Sequence, residues 1–121
     1  MNIDQDSVPS TILAAVQSIA ASVTEEEREW ICAIDRPDSR VHHTIGRHIR
    51  NNWSLWSPDS PLKRDAIAVY RIAHADDISG LILAWACALI RGDTFDPQAE
   101  CERFHKHWAQ FGMTSLEAGG M

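Results

Sequence analysis

Paired cysteines, long apolar runs and basic charge are all scarce in this 121-residue chain, and each scarcity excludes something. Cys32, Cys87 and Cys101 are odd in number and contain no C-x-x-C pair. That excludes a disulfide framework and predicts inert thiols in a reducing compartment. The longest apolar stretch, Ile78 to Ile90, is thirteen residues, whereas a membrane span takes roughly twenty. No membrane association is expected. The acidic, polar opening MNIDQDSVPS does not read as a signal peptide, so the expected location is the cytoplasm. Eleven Lys and Arg stand against seventeen Asp and Glu, a net charge of -6. Phosphate affinity comes from basic patches that release counterions, so nucleic acid is not an expected partner and a basic protein surface is. No glycine-rich phosphate loop, no G-x-S-x-G elbow and no His-Glu-x-x-His motif occurs. His105 and His107 lie on different helix faces. Neither a metal nor a cofactor is expected, and the reading leans away from an enzyme.

What is present is helical periodicity. The length suits one domain, and 45% hydrophobic with 23% charged residues suits a packed core. Ile12, Leu13, Val16, Ile19, Ala20 and Val23 lie on one face at a 3.6 period, after Pro9 and Ser10. Thr24-Glu25-Glu26-Glu27 is a capping box for a second helix, which buries Trp30, Ile31 and Ile34 and ends before Pro37. Asp38 or Ser39 caps a third, with Val41, Ile45, Ile49 and Trp53 as its stripe. Ser60-Pro61 opens a fourth, carrying Leu62, Ala66, Val69, Ile72 and Ala73 inward. The fifth begins at Asp76-Asp77-Ile78-Ser79, is apolar nearly all round and stops at Gly92. Phe95-Asp96-Pro97 starts a sixth, with the stripe Phe104, Trp108 and Phe111. No strand-like alternation occurs. The expected fold is all-α, a single domain over 1–121 of five or six short helices around a central apolar helix at about 78–90, with flexible ends at about 1–8 and 112–121.

Two short stretches carry chemistry. In the first, His43, Arg47 and Arg50 share one helix face, followed by Asn51. Only three basic residues and no acid fall between Ser39 and Trp53. The arginines offer planar donor forks for phosphate or carboxylate, and a histidine beside them can transfer a proton. In the second, His74-Ala75-Asp76-Asp77-Ile78-Ser79, adjacent carboxylates stand at a helix start. Asp76 is expected to cap that helix by taking the Ser79 amide, which leaves Asp77 to pair with Arg50. Such a site would use His43 as acid or base, Asp76 or Asp77 as base or orienting group, and Arg47, Arg50, Asn51 and Ser79 as ligand contacts. The competing reading makes both stretches architectural. Trp53 and Trp56 flank the loop after the basic helix and are candidate anchors for a partner.

His-x-x-x-Gly-Arg-x-Ile-Arg-Asn-Asn-Trp-x-Leu-Trp followed by His-x-Asp-Asp-x-Ser resembles a family of small bacterial proteins known only as a domain of unknown function. The resemblance runs from His42 or His43 to about Ile90 and matches at Gly46, Ile49, Arg50, Asn51, Trp53, Leu55, Trp56, His74, Asp76, Asp77 and Ser79. Ser54 stands where that pattern has glycine, and Ala75 where it has proline. The resemblance implies a fold and no activity.

Two functions remain open. One is a small acidic interaction protein that masks or adapts another protein, for example an immunity protein neutralising a basic toxin. The other is an enzyme or ligand-binding domain for a phosphate-bearing small molecule, built on the two polar motifs. Oligomeric state does not follow from the sequence.

Overall fold

The computed structural model describes residues 8–32 and 45–120, with positions 30–32 described in backbone only. Among these residues the chain is all-α without a strand. It forms α1 (Ile12–Ser22), α2 (Glu25–Cys32), α3 (Arg47–Asn52), α4 (Pro61–Asp65), α5 (Ala75–Arg91), α6 (Pro97–Ala109) and α7 (Ser115–Ala118). A π-helical turn, Ala66–Tyr70, continues α4 directly. The expected end of the second helix, the Asp38 or Ser39 cap, Ile34 and Val41 lie outside the described residues.

α5 is the central helix, as its sequence predicts. It packs against α1, α2, α3 and α6, and buries Ile78, Leu81, Ile82, Leu83, Ala86 and Cys87. Ile12, Ala15, Val16 and Ile19 of α1 meet it, with Ile49, Trp53, Leu55, Leu62 and Ile72 completing the core. Each large apolar side chain fully withdrawn from water contributes about 1.5–3 kcal/mol. No single helix among the described residues is long and apolar enough to cross a membrane; α4 with its π-turn and α5 reach that length only as a pair bent by 80°.

The local start and stop signals work as the residue types require. The Thr24 amide donates to Glu27 Oε1 at 2.9 Å and the Glu27 amide to Thr24 Oγ1 at 3.2 Å, the reciprocal pair of a capping box. Ser60 caps α4, with Pro61 in its first turn. Asp96 caps α6, and Gly92 ends α5 at φ 76°. α1 starts slightly later than expected. Thr11 rather than Ser10 is its cap, and Asp65 supplies a second, tertiary cap by accepting the Ile12 amide at 2.7 Å.

Three elements depart from the periodic reading. The π-turn has more residues per turn than an α-helix, so the register shifts after Ala66. Val69 goes out to 49% exposure and Tyr70 goes in, to 8%. In α6 the expected stripe is only partly buried: Cys101 is the fully buried residue and Phe111, beyond the helix end, is 64% exposed. The tail expected to be mobile from Gly112 contains α7, closed by its own capping box between Thr114 and Glu117. Ser115 is buried there and contacts His105 Nδ1 through Oγ at 2.6 Å. Gly119 lies so close to the Ala73–His74 backbone that an added Cβ would sit 2.6 Å from the His74 nitrogen.

The turn after α3 puts Ser54 in a position that favours glycine. The Leu55 amide donates to the Arg50 carbonyl at 3.0 Å, and Ser54 between the helix and that bond has φ 55°. This is a Schellman-type ending, whose left-handed position favours glycine. Serine holds the conformation at a cost of about 1–2 kcal/mol, partly offset by its smaller freedom when unfolded. Ser54→Gly is therefore expected to raise stability by about 0.5–1 kcal/mol in urea unfolding. A loss would show that the serine side chain stabilises the turn. Ala75 is equally intelligible. It is the first residue of α5, where proline is favoured, and His74 before it has the extended ψ of 133° that proline demands.

Candidate functional site

The two polar stretches meet where α3 ends against the start of α5. Arg50 is in the last turn of α3, where a cation suits the helix dipole. It is 7% exposed. Its Nη1 donates to Ser79 Oγ at 3.0 Å, and its Nε lies 3.4 Å from Asp76 Oδ1. Ser79 Oγ in turn donates to the Asp76 carbonyl at 3.1 Å. The guanidinium thus joins α3 to the first turn of α5.

This arrangement reassigns both aspartates. His74, not Asp76, caps α5: its Nδ1 accepts the Asp76 amide at 3.1 Å. Asp76, not Asp77, pairs with Arg50. Asp77 turns instead towards α6 and accepts Trp108 Nε1–H at 2.8 Å. The physical reason is rotation about the helix: adjacent positions point about 100° apart, so one carboxylate reaches α3 and the other α6. Nothing local signals the bond between Asp77 and Trp108, which are 31 positions apart.

Burial holds the Asp77 carboxyl above its usual range; the Trp108 bond and nearby His74 pull it down, while Asp76 adds to the rise. The folded state therefore binds this proton more tightly than the unfolded chain does. The stability that Asp77 contributes is fully present below its unfolded value and is lost as pH rises through the raised folded value. Asp77→Asn keeps an acceptor for Trp108 without the buried charge. At pH 7 the variant is expected to match or exceed the parent, and the difference should close on acidification through the carboxylate range. Urea unfolding at several pH values measures it; a gap that widens on acidification contradicts this account.

The other candidates are dispersed. Arg47 and Asn51 are exposed, and Asn51 Oδ1 accepts Trp56 Nε1–H at 3.3 Å. His43 lies outside the described residues. Trp53 is not a surface anchor: it is 2% exposed in the core, whereas Trp56 is 59% exposed. Cys101 is buried, and burial pushes its thiol up to about 12, which disfavours the thiolate that a nucleophile needs. Cys87 is buried. Among the described residues no three His, Cys, Asp or Glu side chains converge to hold a metal. One cleft of about 340 Å³ lies between Ala84, Arg91, Phe95 and Glu100, and another of about 220 Å³ beside Trp53, Ser57 and Pro61. Neither is lined by Arg50, Asp76, Asp77 or Ser79.

Over this junction runs a row of rings that the sequence reading missed. Trp56 meets His74 edge-on at 6.2 Å, and His74 stacks on Trp108 at 5.4 Å and 30°. Trp108 meets His107 at 4.9 Å, and His107 meets Phe111 at 5.4 Å. The row has its most exposed large rings at its ends, Trp56 at 59% and Phe111 at 64%. The spacing of His107, Trp108 and Phe111 on one helix end was a partial signal for it. Their meeting with Trp56 and His74 was not readable locally.

Fold and junction together define a small all-α domain built around one buried helix, with its polar motif joining its own elements. The chain belongs to the family described as "Domain of unknown function (DUF6794)", whose model matches residues 8–88. The match begins at Val8, well before the polar motifs, so α1 and α2 are part of the family's domain, while His107, Trp108 and Phe111 lie beyond it. No curated protein and no solved structure matches the chain.

Proposed function

We propose that this is a small acidic binding protein that docks a basic partner protein through the aromatic row. The observation that supports the reading is the row itself: two large rings stand exposed at its ends and are held by ring contacts to three others. Preorganised aromatic side chains are the usual anchors of protein interfaces, because they bury much area for little entropy. The net charge of -6 favours a basic surface. At the Trp56 end the side chains of Asp59 and Asp76 are 88% and 47% exposed. An immunity protein that masks a basic toxin in the cytoplasm fits this description.

The anion-site reading draws less support, because Arg50 and Ser79 are bonded to each other and buried. The test uses a basic protein encoded beside this chain's gene, titrated calorimetrically. A one-to-one complex is expected, weakened at least about tenfold by Trp56→Ala or Phe111→Ala, while neither variant loses more than about 0.5 kcal/mol of stability. A complex that both variants leave intact would place the interface elsewhere.

A further inference from the structure

His74 has two tasks that depend differently on its proton. As the cap of α5, its Nδ1 accepts the Asp76 amide at 3.1 Å, which requires that nitrogen to be unprotonated. As a ring, it joins Trp56 to Trp108 in the surface row. The same Nδ1 lies 3.9 Å from Asp76 Oδ2, while Asp76 Oδ1 is engaged 3.4 Å from Arg50 Nε.

We infer that His74 is a proton-operated latch between the start of α5 and the aromatic row. Protonation at Nδ1 turns the acceptor into a donor. The Asp76 amide loses its partner, and the new N–H turns towards the Asp76 carboxylate, in competition with Arg50. The imidazole packs between Trp56 and Trp108, so its turn carries the first turn of α5 and the surface rings with it.

Among the described residues, charged groups reach His74 from several elements. Asp76 and Asp77 on α5 favour the added charge. Arg50 on α3 opposes it, as does His107 on α6 when protonated, across Trp108. On α7 the near neighbour is the Gly119 backbone, and Glu117 is taken up by the capping box with Thr114. The latch belongs to the chain alone. Its consequence, that acidification weakens docking of a basic partner by adding positive charge to the row, rests on the function proposed above.

The test is an NMR titration of the free protein from about pH 8 to about pH 5, the interval in which histidines titrate, with tryptophan emission followed in parallel. The Asp76 amide resonance and the emission are expected to follow the same curve as the His74 ring nitrogens. In His74→Asn, which keeps a capping acceptor that does not titrate, the Asp76 amide transition should disappear and the emission change should shrink to what His107 beside Trp108 contributes. In His107→Asn both should remain. An Asp76 amide that stays still while the His74 ring titrates overturns the latch. So does an Asp76 amide transition that survives in His74→Asn. Should that variant not fold, the comparison of amide and ring in the parent decides alone. Because no partner is used, this result is independent of the docking measurement. A latch that operates while Trp56→Ala binds normally would overturn only the proposed interface.

Discussion

Trp53→Ala is expected to lower stability by about 3–5 kcal/mol, the largest effect of any single change discussed for this chain. Trp53 is 2% exposed and belongs to the core formed with Ile49, Leu55 and Leu62. Among the described residues its buried Nε1 has no hydrogen-bond partner. The loss is therefore one of packing and cavity formation. Trp53→Phe isolates this point. It keeps most of the ring and removes an N–H whose burial alone costs about 1–3 kcal/mol, so it should cost far less than alanine. Trp56→Ala is expected to cost about 0.5 kcal/mol, because Trp56 is 59% exposed and its indole N–H bonds the exposed Asn51 at the surface. Urea unfolding of the three variants separates the two tryptophans. Equal losses at 53 and 56 would contradict the buried and exposed assignments.

Arg50→Ala should cost about 2–4 kcal/mol. The side chain is 8% exposed and joins α3 to both Ser79 and Asp76 on α5. Its removal leaves a void at the junction and frees Asp76 from its ion pair. The full penalty of a buried orphan charge is not expected, because the Asp76 side chain is 47% exposed and water solvates it. The reverse change leaves the buried guanidinium bonded to Ser79 but without its counter-charge, so Asp76→Asn should cost about 1–3 kcal/mol. Thermal and urea unfolding of both singles and the double variant measure the coupling. A parent-like Arg50→Ala would mean that the polar junction is not there for stability, and the anion-site reading would regain ground.

The sequence and the structure agree on an all-α fold and diverge on detail for one reason. Capping boxes, the proline of α4 and Gly92 act within about four residues, and a local signal can be read from a local string. Thr24 with Glu27, Ser60 with Pro61, and Asp96 with Pro97 were all visible in that way. The π-turn was not. Its register shift exchanges Val69 for Tyr70, and a fixed 3.6 period has no means of announcing a residue of different pitch. Phe111 also satisfied the period of α6 but falls past the helix end, where periodicity no longer assigns a face.

The candidate site shows the same division more sharply. That Arg50 and the Asp-Asp pair belong together was legible, because a basic helix end and an acidic helix start are complementary charges. Which aspartate Arg50 meets depends on how α5 is rotated against α3 and α6, and that is set by the burial of Ile78, Leu81 and Ile82 rather than by the carboxylates. His74 became the cap because its ring nitrogen lies within reach of the Asp76 amide, a geometry that a residue type does not disclose. The sequence by itself determined the longer helices, the central place of α5 and the complementary motifs, since propensity, periodicity and capping are properties of neighbours along the chain. Only the tertiary structure decided which tryptophan is buried, which aspartate is paired and which rings form the exposed row, since each depends on helices oriented by a shared core.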